Sequence, residues 1–261
     1  MVATKVVGGR WENMARNRDF CNLIDSSQCG FTTMNIPVHC RPAAFQLFAE
    51  QIPVLDTTVG LLHAAIAISM HGLDDVDPAG IEDQLQEMAD HISSQVNGVQ
   101  PQALLAHLHH FLFDEEGFRG NAEDYYCSDN NYLSRVLASR NGIPITLCLI
   151  YKIVAEQIGL RVEGVNAPGH FLVRVFSGRD TLIVDPFFLG SVLTESESFD
   201  RVEEVTGRTV PRSDQYLAAA THSQWLSRML VNLQHIFATQ ERRADLAAMC
   251  ELQTLLDYSL Y

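Results

Sequence analysis

The chain has 261 residues, of which 47% are hydrophobic and 19% are charged, and its formal net charge is −14. This length and composition are typical of a globular protein with one large or two modest domains and a real core. The acidic balance disfavours nucleic acid and anionic membranes, because both repel negative potential. We therefore expect no nucleic-acid partner and no membrane partner.

Residues 1–42 are predicted to form a loosely structured lead segment of mixed polarity. The N-terminal stretch MVATKVVGGRWENMARNRDF lacks the apolar core of a signal peptide. The longest apolar run, LCLIYKIVA, is interrupted by Lys152 and is too short to span a bilayer. These features predict a cytoplasmic protein.

Six cysteines are scattered along the chain without a CxxC pair. So few thiols in so long a chain favour free cysteines in a reducing compartment over a disulfide scaffold. Three of them lie near one histidine, which raises the question of a metal site at Cys21, Cys29, Cys40 and His39. The irregular spacing matches no zinc pattern. We predict no metal and no cofactor.

Residues 43–120 are predicted to be helical. LLHAAIAISMH is apolar on most faces, as a buried helix is, and a second helix follows Pro78 with Ile81, Leu85 and Met88 on one face. ALLAHLHHFLF predicts a third helix. His107 and His110 share its surface at a spacing of i and i+3, but no carboxylate completes a ligand set, so we expect partly exposed histidines.

Residues 121–215 are predicted to form an α+β core. After a connector come a helix over 132–139, a turn at Asn141-Gly142, and a helix with Pro144 in its first turn that Gly159 ends. Alternating segments then predict strands over 160–166, 170–176 and 181–188.

Residues 216–261 are predicted to form two helices joined by a short polar turn, beginning with WLSRMLVNLQHIFATQ. Two adjacent helices of this size predict a helical hairpin of tetratricopeptide-like form. A single hairpin is not a stable array, because repeats need neighbours to bury their apolar faces. We therefore expect it to pack on the core.

Three stretches carry an ordered signature: FDEEGFRGNAEDYYCSDNNYLSRVLASRNGIPITLCLIY, then GVNAPGHFLVRV, then IVDPFFLG. The signature resembles a bacterial transglutaminase-like family, including the Sir-B invasion-regulator type, that joins a transglutaminase-type core to tetratricopeptide-like helices. Similar segments occur in a eukaryotic F-box ubiquitin-ligase subunit. The resemblance covers about residues 45 to 250. It implies a transglutaminase-like (papain-like) core, a helix packed on an antiparallel sheet, and specifies no activity.

In active enzymes of this superfamily, a Cys at the start of the core helix attacks an amide, a His acts as base and acid, and an Asp orients the imidazole. His170 in PGHFLV matches the His, and Asp185 in IVDP matches the Asp. The active relatives read Gly-x-Cys at the helix start. Counting back from Ile158-Gly159 places Pro144 in that nucleophile position.

Cys148 follows Pro144 by four residues, which is one helical turn, or about 6 Å along the axis. A thiol at that depth loses much of the helix dipole's help, and apolar surroundings raise its pKa. Two interpretations stay open: a structural Cys148, and a nucleophilic Cys148 that works with His170 and Asp185.

Other side chains near the core helix are candidates for the same site. Thr146 offers a hydroxyl, although a first-turn Thr is expected to bond the helix backbone. Cys127 could reach the site from the connector. Three residues near the helix start could line the pocket: Tyr132, Arg140 and Asn141.

Three functional hypotheses follow. Pro144 in the nucleophile position favours a non-catalytic descendant that binds a protein or peptide through the cleft at His170 and Asp185 or through its helical surfaces. The alternative is an active cysteine hydrolase or acyltransferase using Cys148, His170 and Asp185. A metal-dependent hydrolase built on His170, Asp185 and another His is a third, although no HExxH pair occurs.

Overall fold

The computed structural model describes residues 36–96, 98 and 100–258, so most of the predicted lead segment lies outside the described residues. The helices of the described part are α1 (Pro42–Gln51), α2 (Thr58–Gly72), α3 (Pro78–Gln95), α4 (Pro101–His109), α5 (Leu133–Ser139), α6 (Pro144–Gln157), α7 (Glu195–Thr206), α8 (His222–Thr239) and α9 (Arg243–Tyr258). The strands are β1 (Arg119–Gly120), β2 (Asn141–Gly142), β3 (Arg161–Val165), β4 (Leu172–Ser177), β5 (Asp180–Asp185), β6 (Ser191–Leu193) and β7 (Ala219–Ala220).

The first half of the chain folds into the predicted helices. α2 is apolar on nearly every face and packs against α1, α5 and α8. α3 buries Ile81, Leu85 and Met88, so the predicted apolar face is confirmed. α4 continues into a π-helical turn at 110–115. Among the described residues, no helix has the length and apolar composition that crossing a bilayer needs.

A five-stranded antiparallel sheet forms the β layer, in the order β6-β5-β4-β3-β7. Successive side chains of a strand point to opposite faces. On β4, Val173 and Val175 accordingly join the main hydrophobic cluster, whereas Leu172 joins a smaller cluster with Phe199 of α7. The sheet is therefore covered on both faces, and the α+β prediction is confirmed.

The core helix is α6, which packs on β3 and β4 and is buried along most of its length. Pro144 is its first residue, where the missing N–H has no intrahelical partner to lose. Beyond its end, Gly159 adopts φ +91°, a conformation that a side chain would strain. Both predicted boundary signals are confirmed.

The two C-terminal helices pack on each other, and α8 also contacts α2 and α6. Trp225 of α8 is fully buried. Its Nε1 donates to the carbonyl of Ile145 at 3.3 Å, and its ring centroid lies 4.6 Å from that of Phe171. The pair packs on the core as expected, and its tetratricopeptide likeness stays a prediction.

Several elements differ from the sequence predictions, among them the short strands β1, β6 and β7. The third strand ends at Asp185 and residues 186–188 form a 3₁₀ turn, because Pro186 has no N–H for the ladder. Asn141-Gly142, predicted as a turn, forms β2 and pairs in parallel with β1. α7 was not predicted, although Thr194 and Glu197 form a capping box at its start.

A carboxylate of α9 holds the segment that precedes α1. Glu251 accepts hydrogen bonds from the backbone N–H groups of Val38 at 3.0 Å, His39 at 3.0 Å and Cys40 at 2.8 Å. We call this contact the Glu251 clasp. Burial, and after it the charge of Glu251, raise the pKa of Cys40 to about 12. Cys40 is therefore a buried thiol that stays protonated at neutral pH.

We expect Glu251→Ala to raise the amide hydrogen-exchange rates of Val38, His39 and Cys40 about tenfold, because a bond to a charged acceptor contributes about 1.5–3 kcal/mol. Hydrogen exchange resolved by residue measures the effect. The control is Glu87→Ala, which removes the same charge from an exposed position on α3. Unchanged exchange at 38–40 in Glu251→Ala would contradict the clasp.

Candidate functional site

His170 and Asp185 lie side by side at one end of the sheet. His170 ends a tight turn before β4, in which its N–H donates to the carbonyl of Ala167 at 3.2 Å. Asp185 ends β5, the antiparallel neighbour of β4. The His170 Nε2 atom is 3.0 Å from Asp185 Oδ2, and both side chains are fully buried. The structure thus brings together the two residues that the sequence singled out.

Asp185 has two further partners that sequence reasoning missed. Arg201 of α7 donates from Nη1 to Asp185 Oδ2 at 2.9 Å, and the N–H of Phe187 donates to Oδ1 at 3.2 Å. The guanidinium of Arg201 also lies 3.8 Å from the ring centroid of Phe188. No local pattern marks Arg201, because only the packing of α7 on the sheet brings it to Asp185.

The second nitrogen of His170 has no partner within the described part of the chain. An ionised carboxylate can only accept, so the hydrogen shared with Asp185 belongs to Nε2, and a neutral ring carries its lone pair on Nδ1. The half-exposed rings of Phe187 and Phe188 flank the imidazole at centroid distances of 6.1 and 6.2 Å. The His170 ring is therefore held by Asp185 in an aromatic, enclosed setting.

No hydrogen bond among the described residues joins the Cys148 sulfur to His170. The Cys148 Sγ donates to the carbonyl of Phe171 at 3.4 Å, and the side chain is fully buried. Burial, with a smaller contribution from the charge of Asp185, raises the pKa of Cys148 well above its usual value. The thiol therefore stays protonated at neutral pH, in the state that reacts poorly as a nucleophile.

Pro144 and Thr146 complete the start of α6. Pro144 is buried at the first helical position, where it supplies no nucleophile. The expectation that Thr146 bonds the helix backbone is wrong: its hydroxyl is buried without a partner among the described residues. Residues two apart on a helix differ by roughly 200° in direction, so Thr146 points away from the face that carries Pro144 and Cys148.

Tyr132 and Cys127 make their described contacts with other parts of the chain. The Tyr132 ring fills the space beside Gly72 of α2, where an added Cβ would lie 2.2 Å from the ring. Burial raises the pKa of Tyr132 to about 12. Cys127 is half-exposed, and partial burial raises the pKa of its thiol. Among the contacts of the described residues, none joins either side chain to His170.

Arg140 and Asn141 make their described contacts to the connector, and their predicted place at the pocket stays a prediction. Arg140 adopts φ 61°, donates from Nε to Glu116 at 2.7 Å, and lies 4.9 Å from the ring centroid of Phe118. Asn141 accepts from Arg119 Nε at 3.1 Å. The described contacts of Arg140 and Asn141 therefore brace the β1–β2 pair.

The histidines at the end of α4 and in the π-helical turn have no metal-site arrangement around them in the described part of the chain. His110 is within 3.1 Å of both Asp114 and Glu115 at the surface, so carboxylates do lie near it, contrary to the sequence expectation. Across residues 36–96, 98 and 100–258, no group of three or more His, Cys, Asp or Glu side chains has the arrangement of a metal site. Cys21 and Cys29 lie outside the described residues.

Comparisons with known proteins agree with the α+β geometry. A family model described as the transglutaminase-like superfamily matches residues 79–231. A UPF0162 protein of Xylella fastidiosa (strain 9a5c) is 34% identical over 199 residues, which are 75% of this chain and 70% of that protein. F-box only protein 21 of Mus musculus is 38% identical over 114 residues, 40% of this chain and 18% of that protein. No solved structure gives a significant match.

Proposed function

The chain belongs to the transglutaminase-like superfamily, and from that premise we propose that it binds a protein or peptide without performing thiol acyl transfer. The state of Cys148 is the observation that carries this proposal. A thioester mechanism needs a thiolate beside the base, and Cys148 is a buried, protonated thiol bonded to a backbone carbonyl.

The hydrogen bonds of Asp185 support a role for His170 and Asp185 in positioning the backbone around them. Its two oxygens accept from His170, Arg201 and the backbone of Phe187. Such a buried network fixes the turn before β4 and the 3₁₀ turn after β5 in one arrangement. On this proposal, the buried His170 and Asp185 hold these two turns in place, and the surface of the turns binds the partner.

Alkylation with iodoacetamide near neutral pH, read at each cysteine by mass spectrometry, tests the absence of a thiol nucleophile. We expect the half-exposed Cys127 to react in the native protein, and Cys148 to react only after unfolding. His170→Ala is expected to leave the reactivity of Cys148 unchanged. Fast labelling of Cys148 that His170→Ala abolishes would instead establish the active cysteine hydrolase or acyltransferase.

A matched variant gives the alkylation rate of a thiol at the start of α6 for comparison with that of Cys148. Pro144→Cys in a Cys148→Ser background puts a thiol in the inferred nucleophile position. We expect this cysteine to be alkylated faster than native Cys148, and more slowly once His170 is replaced by Ala. A second readout is the release of ammonia from a glutamine peptide by the wild-type chain. We expect no turnover that depends on His170.

The binding half of the proposal needs its own measurement. A peptide array is probed with the full chain, and the bound peptides are then titrated in solution. We expect saturable binding that Cys148→Ser leaves unchanged. If no peptide saturates, or if binding requires the Cys148 thiol, the binding proposal fails.

A further inference from the structure

A cleft of about 240 Å³ lies between α8 and the turn that leads to His170. Five residues line it: Asn166, Gln224, Ser227, Arg228 and Val231. Its volume is below the roughly 300–1,000 Å³ of sites for small molecules, so a chain end or a single side chain fits it best.

Arg228 is the only one of these five side chains that carries a charge at neutral pH. Its Nη1 donates to Asn166 Oδ1 at 2.8 Å and to the carbonyl of Ala167 at 3.5 Å. Arg228 is half-buried, and desolvation by the surrounding protein atoms lowers the pKa of its guanidinium, although an arginine stays charged at neutral pH.

Arg228 also lacks a negatively charged neighbour. Arg140 and Arg201, which are also partly buried, each form an ion pair with a carboxylate. No carboxylate of the described residues lies within ion-pair distance of Arg228, although the chain has 32 acidic and only 18 basic residues. A partly desolvated cation without a counter-charge lowers the stability of the folded protein. We therefore expect a ligand that supplies the negative charge.

We propose that the Arg228 cleft binds a carboxylate of a peptide partner, either its C-terminal carboxylate or an Asp or Glu side chain. The hydrogen bonds of Arg228 to described residues use Nη1, so the donors on Nη2 and Nε remain for a carboxylate. A planar guanidinium matches the two oxygens of a carboxylate in a paired geometry that an ammonium cannot reproduce. Val231 provides an apolar wall for the carbon atoms of the ligand.

The cleft is connected to the candidate site through one backbone group. The Ala167 carbonyl accepts from Arg228 on one side and from the His170 N–H on the other. A ligand that reorients Arg228 therefore acts on the turn that carries His170. The peptide source of the carboxylate rests on the proposed binding function, whereas the carboxylate site itself can be tested separately.

Three short peptides test the site by titration of the full chain under calorimetry. Acetyl-Gly-Gly-Gly with a free carboxylate carries a C-terminal charge, acetyl-Gly-Glu-Gly-amide carries a side-chain charge, and acetyl-Gly-Gly-Gly-amide carries none. We expect at least one charged peptide to bind at least about tenfold more tightly than the neutral one, because a hydrogen bond to a charged group is worth that factor. The tighter of the two identifies the source.

Variants locate the binding in the cleft. Arg228→Gln is expected to abolish the preference for the charged peptides, whereas Arg243→Gln, which removes a charge from an exposed residue, leaves it intact. Since Arg228 also supports the Ala167 turn, Val231→Glu and Val231→Gln form a second pair that keeps Arg228 in place. We expect Val231→Glu to block the charged peptides by occupying the guanidinium, and Val231→Gln to retain most of their binding.

Two results would overturn the proposal. One is equal affinity of the wild-type chain for charged and neutral peptides, or no binding of either charged peptide. The other is a charge preference that survives both Arg228→Gln and Val231→Glu. Binders from the peptide array that ignore charge would leave the proposed function standing while removing this site.

Discussion

Asp185→Ala is expected to lower the free energy of unfolding by about 3–5 kcal/mol, the loss typical of removing one partner from a buried ion pair. The substitution leaves His170 and Arg201 without their shared acceptor. Glu204, at 3.5 Å from Arg201 Nε, is mostly exposed and cannot replace it. Urea unfolding followed by circular dichroism measures the change.

Two controls separate the charge of Asp185 from its shape. Asp185→Asn keeps the volume and one acceptor, so we expect a smaller loss than for the alanine variant. Asp200→Ala breaks an exposed pair with Arg212, and we expect its unfolding midpoint to stay close to that of the wild type. If Asp185→Ala does not accumulate as folded protein, Arg201→Met tests the same network, because it removes the partner of Asp185 that is less deeply buried. A midpoint for Asp185→Ala equal to that of Asp200→Ala would contradict the network.

Trp225→Ala is expected to cost about 3–5 kcal/mol of unfolding free energy, because it empties the space of a large buried ring. The ring lies against Phe171, and an added Cβ on Gly164 would lie 2.5 Å from it. The substitution also removes the donor to the Ile145 carbonyl. Circular dichroism is the appropriate probe, because the chain has only 2 tryptophans and fluorescence would change with the residue itself.

Trp225→Phe separates packing from hydrogen bonding. The smaller ring keeps much of the contact with Phe171 and loses only the Nε1 donor, so we expect a loss nearer 1–2 kcal/mol, about that of one hydrogen bond plus a partial cavity. Gly164→Ala in the wild-type background is expected to destabilise by overpacking. A loss in Trp225→Ala no larger than that in Trp225→Phe would show that α8 is anchored elsewhere.

The parts of the fold that the sequence predicted are those with local signals. Pro144 and Gly159 bound α6 because proline fixes a helical φ and needs no N–H at the first position, whereas glycine adopts a positive φ at little cost. The alternation in FLVRVF identifies β4 because one face of that strand packs on α6. The capping box at Thr194 and Glu197 was an equally local signal for α7, and it was overlooked.

The parts that the sequence could not supply depend on distant contacts. β7 consists of two residues that pair with β3 across more than fifty positions, a length too short for any periodic pattern. Arg201 reaches Asp185 only because α7 covers one face of the sheet. The direction of the Cys148 sulfur toward the Phe171 carbonyl likewise follows from the docking of α6 on β4.

The Glu251 clasp also constrains the order of folding. It joins residues 211 to 213 positions apart along the chain, and contacts of such long separation form late because they close a large loop. During synthesis, residues 38–40 wait until α9 has emerged before their carboxylate partner exists. The segment before α1 is therefore among the last parts to be secured, and the first that a folding defect in α9 would release.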